Sequence, residues 1–189
     1  MIEELNFKKQ QAQRHKFSVA DYFALSELGL LSESTELIEG DIYDMTAHSP
    51  RHRAFVDIVV DNFKTALKGR ATIFAQSTLA FEGWSPEPDL MVLKFDSKRY
   101  RDRQPSTEET LLIVEVSDTT LAKDKGIKLR SYALQGVQEY WIVNLVDDVI
   151  EVYREPLGAE YSEKKTYGFR DAFAPLAFPD DKRVWLEDF

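Results

Sequence analysis

Pro88-Asp-Leu-Met-Val-Leu-Lys94 and Thr110-Leu-Leu-Ile-Val-Glu-Val116 are near-continuous apolar runs, without the polar alternation of a half-exposed strand. Such runs are typical of central strands covered on both faces. The rest of the chain must therefore supply layers above and below a sheet. Ala71 to Phe81 reads as a third strand beside them. Upstream, Ser49 as N-cap and Pro50 at the first helical position open a helix whose Phe55, Ile58, Val59, Phe63, Ala66 and Leu67 recur at helical spacing until Gly69. Downstream, a helix over 121–135 stops at Gly136, and strands follow at Glu139 to Leu145 and Val149 to Arg154.

Further out, Thr35 to Met45 alternates around Gly40-Asp41 and predicts a tight hairpin, with Glu36, Ile38, Tyr43 and Met45 on one face. Ser18 and Asp21 can cap a helix running to about Leu28, with Gly29 as its stop. Residues 1–16 are polar and mixed in charge, a tail or frayed helix. Pro156, Pro175 and Pro179 punctuate a C-terminal stretch that reads as added edge strands and a cover. The expectation is α/β: a mixed central sheet flanked by helices, with an N-terminal helix and extra C-terminal edge strands, in one domain over 17–189.

The length of 189 residues suits one domain with a sizeable core. The absence of cysteine excludes disulfides, thiolate zinc sites and cysteine nucleophiles, so a metal would rest on oxygen or on the three histidines. Hard divalent cations are the natural candidates. No signal-peptide pattern and no membrane-length apolar run is present, so a cytoplasmic location without membrane contact is expected. The net charge of −9 opposes wide nonspecific attraction to polyphosphate, although local basic clusters can still contact it.

Asp89 opens one buried strand and Glu115 lies near the end of the other. A carboxylate ionised in such surroundings needs a cation, a set of donors or a raised pKa. Two at the edge of one sheet fit a divalent metal held by oxygens. Taken singly, each can equally lie past its strand end in water or pair with an arginine. Leu121, Asp124, Lys128 and Tyr132 fall on one helical stripe that can face protein, which would bring the Lys128 ammonium toward the Glu115 strand. There it could orient a water or offset phosphoryl charge. The alternative is an Asp124 to Lys128 surface ion pair worth a few tenths of a kcal/mol.

The segments Glu36-Leu-Ile-Glu-Gly40, Ser49-Pro-Arg-His52, Pro88-Asp89, Val114-Glu-Val-Ser117, Asp124 to Lys128 and Gly136-Val-Gln-Glu-Tyr-Trp141 resemble, in order and spacing, the motif series of the Uma-two family of restriction-endonuclease-like proteins. The likeness covers roughly residues 17–155 and implies the PD-(D/E)XK nuclease fold. It also implies Asp89 and Glu115 as ligands for Mg²⁺ or Mn²⁺. The superfamily lysine ordinarily stands two residues after the second acid, where this chain has Ser117. The resembling family carries its lysine on the next helix, four residues after an aspartate, and Lys128 after Asp124 fits that pattern. His52 matches a family histidine and could approach a phosphate or a site water, or serve as a satisfied structural histidine.

Glu36 is the candidate additional metal ligand, since a carboxylate on the apolar face of the hairpin needs a reason, or else it sits at the strand's end in water; Glu39 on the opposite face is the weaker choice. The backbone carbonyl of Val116 completes the expected ligand set with Asp89 and Glu115. Arg99, Arg101 and Arg103, in a loop with Lys98, are the expected phosphate contacts, or else a solvated connection. The resulting expectation is a Mg²⁺-dependent endonuclease hydrolysing phosphodiester bonds of nucleic acid, DNA in preference to RNA, and acting as a homodimer so that two sites meet two strands. The alternative is an inactive nuclease-fold protein that binds nucleic acid or a protein.

Overall fold

The computed structural model describes residues 15–32, 34–45, 49–81 and 84–186. Most of the expected N-terminal tail lies outside them. Helix α1 spans Val19–Glu27, hairpin strands β1 and β2 span Thr35–Ile38 and Asp41–Asp44, and α2 spans Pro50–Ala66. Strands β3, β4 and β5 are Ala71–Ala75, Leu90–Lys94 and Thr110–Ser117. Helix α3, over 121–134, is followed by β6 (Glu139–Asn144), β7 (Val149–Leu157), β8 (Glu160–Gly168), β9 (Ala172–Phe173) and β10 (Arg183–Val184). Strands β3 to β8 form one six-stranded sheet in chain order, antiparallel throughout except for the parallel β5–β6 pair that α3 connects. No helix among the described residues is long and apolar enough to cross a membrane.

The period-2 geometry of the central strands sorts their side chains into two cores. Leu112, Val114 and Val116 of β5 face α2, where Phe55, Val59, Phe63 and Leu67 meet Trp141 and Trp185. Ile113 faces the other way, with Met91, Tyr140 and Ile142, toward Tyr132 of α3 and Ile38 and Trp84. Full burial of side chains such as Phe63 contributes about 2–3 kcal/mol each. The C-terminal stretch does more than cover: Trp185 stacks on Phe63 at 4.2 Å between ring centroids, and its carbonyl accepts from Asn62.

Three elements differ from the sequence reading. β3 ends at Ala75 rather than Phe81, because Gln76 turns into the left-handed region at φ 44° and the chain crosses to pair Ser85 with Leu37 of β1. The hairpin turns on Glu39-Gly40, one residue earlier than expected, with φ of 49° and 78°. That pair has the positive φ values of a type I′ turn. The shift moves the register by two, so Glu36 and Tyr43, now directly opposed, still share a face. Helix α3 widens into a π-helical turn over Asp124–Lys128, where the Leu129 N–H reaches the Asp124 carbonyl. The same carbonyl accepts from the Tyr140 hydroxyl at 3.2 Å. Widened turns of this kind concentrate at functional sites.

Candidate active site

Leu90 pairs with Val114 across β4 and β5, so Asp89, one step earlier, stands opposite Glu115. Both lie on the α3 side by strand alternation. Asp89 is 6 % exposed, and its Oδ2 accepts from the Val116 N–H at 2.8 Å and faces His52 Nε2 at 3.2 Å. The backbone of Val116 thus meets Asp89 through its N–H. His52 arrives on the first turn of α2, which Ser49 caps by accepting from the His52 N–H at 3.0 Å. The Ser49 hydroxyl donates in turn to Asp118, just past β5, tying the helix start to the sheet end that carries Glu115.

Glu115 is 3 % exposed, and its Oε1 accepts from Lys128 Nζ and from the Tyr132 hydroxyl, each at 2.9 Å. Burial pushes its carboxyl up to about 8, with Asp124 and Asp89 adding to the rise and Lys128 opposing it. Burial works to lower the Lys128 pKa, but Glu115, Glu36 and Asp124 outweigh it and hold the ammonium above its usual value. Lys128 therefore stays charged in a nearly dry site. Its Nζ lies 3.6 Å from Glu36 and 3.8 Å from Asp124. The alternative of a surface Asp124 to Lys128 pair gives way to a buried cluster. Asp124 accepts from the Ser117 hydroxyl at 2.7 Å and from Thr120 at 2.6 Å, yet burial still raises its pKa.

Glu36 closes the cluster from β1. Its Oε1 pairs with Lys123 of α3, while Oε2 is buried without a hydrogen bond. Glu39 is exposed and bonds to Arg130 and Ser131 of α3. Together with Glu87, the acids Glu36, Asp89, Glu115 and Asp124 line one cavity of about 30 Å³, beside His52, Lys123 and Lys128. Burial raises the Glu87 pKa, and the charges of Glu36 and Asp89 raise it further. The cavity has room for about one water.

Asp89, Glu115, Lys128, Glu36 and His52 are thus brought together. Arg99, Arg101 and Arg103 are not: they follow the far end of β4, opposite Asp89. Arg103 holds Glu109 with two bonds of 2.7 Å, and Arg101 leans on Asp102. A loop placed by the exit of its strand does not reach the other end of that strand, so a phosphate contact from these arginines would lie away from the carboxylate pocket. Sequence reasoning also passed over Lys123, Tyr132, Glu87 and the Ser117 to Asp124 bond as parts of the site. Tyr132 was visible on the Asp124 and Lys128 stripe, and Glu87 as the acid between Pro86 and Pro88.

Among the described residues no three acids or histidines already converge as a ligand set, since Lys128 stands where Glu115, Glu36 and Asp124 point. The donor chemistry nonetheless fits a hard divalent cation. Five carboxylates face one cavity against two lysines, and Glu36 Oε2 is buried without a hydrogen bond, 3.6 Å from the Lys128 ammonium.

A family model described as Uma2, putative restriction endonuclease, matches residues 19–184. The crystal structure of a putative nuclease belonging to DUF820 from Anabaena variabilis ATCC 29413 aligns with a TM-score of 0.66 and 21% identity, covering 87% of this chain and 95% of that one. At that identity the likeness speaks for the fold, a six-stranded mixed sheet flanked by helices. No curated protein matches the sequence.

Proposed function

Since the chain belongs to the Uma2 family of putative restriction endonucleases, we propose that it hydrolyses phosphodiester bonds of nucleic acid, DNA before RNA, with Mg²⁺ or Mn²⁺. The observation that carries this reading is the cross-strand placement of Asp89 and Glu115 on one face of the sheet, with a buried, charged lysine on Glu115. Asp89, Glu115 and the Val116 carbonyl would hold the cation, with Glu36 as the additional acid. Once bound, the cation supplies a Lewis acid for the phosphoryl oxygen and lowers the pKa of water.

The chain's own groups do the remaining work. His52 and the Val116 N–H hold Asp89 in place. The Tyr132 hydroxyl fixes Glu115, so that its carboxylate cannot swing toward solvent. Lys128 carries a fixed positive charge that can orient the attacking water and offset charge developing on the phosphate. A pair of such sites related by a twofold axis would address the two strands of a duplex.

The test is cleavage of single- and double-stranded DNA and of RNA with Mg²⁺ or Mn²⁺, comparing the wild type with Asp89→Ala. Metal-dependent cleavage that Asp89→Ala abolishes is the expected result. Cleavage that survives in Asp89→Ala would overturn the site assignment. A second reading, a nuclease-fold binding module without catalysis, is favoured by the lysines that already neutralise Glu36 and Glu115. Titration calorimetry with Mn²⁺ separates the two, because the binding module needs no cation.

A further inference from the structure

The loop cations that lie away from the pocket stand beside a second basic group. Asp89 precedes β4 and Phe95 follows it, so the two ends of the strand are about 20 Å apart at the usual rise per residue. At the Phe95 end, Lys64 in the last turn of α2 and Lys68, just past its C-cap Leu67, come alongside Arg99. These three line an open groove of about 450 Å³ with Phe95, Asp96 and Ser97. Among the described residues none of the three cations pairs with a carboxylate, on a chain whose net charge is −9.

The acid in the groove is turned inward on its own loop. Asp96 Oδ1 accepts from the backbone N–H of Lys98 at 2.7 Å and of Tyr100 at 3.2 Å. Phe95, by contrast, is 56 % exposed. Arg99 and Tyr100 both adopt left-handed backbone, at φ of 54° and 53°. Tyr100 holds that loop by its burial and by donating its hydroxyl to the Lys94 carbonyl at 2.9 Å. Arg99 is thereby aimed across the groove, its guanidinium over the Phe74 ring and 3.4 Å from the Ile73 carbonyl.

We propose that this groove binds the sugar–phosphate backbone of single-stranded nucleic acid, at a site separate from the carboxylate pocket. Unpaired lysines and an arginine attract successive phosphates, and an exposed aromatic ring offers a face on which a base can stack. Stacking on Phe95 needs an unpaired base, which selects a single strand over a duplex. Addition of a peptide strand to the β3 edge is the competing use, and the guanidinium of Arg99 on the Ile73 carbonyl stands in its way.

Fluorescence anisotropy with a labelled twenty-nucleotide oligothymidine, in EDTA so that nothing is cleaved, tests the groove directly. The wild type should bind with a log–log salt slope of about −2, as three phosphate contacts to a single strand require. Lys64→Glu with Lys68→Glu should weaken binding at least tenfold and flatten the slope by more than one, while Phe95→Ala should weaken it about tenfold at an unchanged slope. Asp89→Ala should bind as the wild type does. If the charge reversal disturbs folding, Lys64→Gln with Lys68→Gln should flatten the slope to the same extent.

The proposal falls if the wild type does not hold the oligonucleotide, or if the folded lysine variants bind it unchanged. It falls also if polyglutamate displaces the strand at equal charge concentration, which would mark a site for an acidic protein. Cleavage of a dinucleotide, too short to reach the groove, reports on the pocket alone. A failed pocket is thereby told from a failed groove.

Discussion

Replacing Lys128 by methionine removes a charge and keeps most of the side chain's volume. Its ammonium, on a side chain only 7% exposed, stands 2.9 Å from Glu115, 3.6 Å from Glu36 and 3.8 Å from Asp124. Removing one partner from a buried ion pair costs about 3–5 kcal/mol, because the remaining charge is left poorly solvated. Protonation limits that loss. Glu115 is already pushed up to about 8 by burial, and without the ammonium it would rise further. A carboxyl whose folded pKa lies above its unfolded value binds its proton more tightly when folded, so stability declines as pH climbs from the unfolded pKa toward the folded one. Since Glu115 keeps its proton up to about pH 8 even beside the ammonium, the deficit of Lys128→Met should be small near pH 5, about 1 kcal/mol, and grow by up to about 1.4 kcal/mol per pH unit only as pH rises past about 8. Urea unfolding, followed by fluorescence of the buried Trp84, Trp141 and Trp185, measures it. Adding Glu115→Gln to the variant should recover part of the loss at high pH. A deficit below about 1 kcal/mol at every pH, or one that does not change with pH, would refute the view that this lysine holds the cluster together.

Tyr132→Phe removes one of two donors to Glu115 and should cost about 1–2 kcal/mol in urea unfolding; any phosphodiesterase activity should fall in kcat while KM holds. Ser117→Ala leaves Thr120 on Asp124, so it should cost no more than about 1.5 kcal/mol, whereas adding Thr120→Val should cost more than the two single changes summed. Glu151, held at a pKa of about 2 against the cost of its burial by Lys125, Lys164, Tyr153 and Asn144, contributes stability that is present above the unfolded carboxylate pKa and lost as pH falls toward 2. Glu151→Gln should therefore flatten the acid limb of the stability profile between about pH 4.5 and 2, as read by circular dichroism. Static light scattering tests the twofold pairing: a dimer mass is expected, and a monomer at working concentration would remove it.

What the sequence determined by itself is what depends on short-range periodicity and end signals. The apolar runs of β4 and β5, the stripe and caps of α2, and the common face of Asp124, Lys128 and Tyr132 follow from side-chain periods of 2 and about 3.6. Those periods hold whatever the rest of the chain does. The same locality kept Glu36 and Tyr43 on one face although the hairpin turned one residue early. The tertiary structure alone decided which ends of the elements coincide. It set Asp89 opposite Glu115 through the β4–β5 register, chose for Lys128 the buried cluster with Glu115 over a surface pair with Asp124, and gave Ser117 to Asp124. It also sent Arg99, Arg101 and Arg103 to the far end of β4 from Asp89, with Arg99 beside Lys64 and Lys68. A loop's composition announces that it can meet phosphate, but its position is set by the strand end from which it leaves, and that is fixed only when the strands pair.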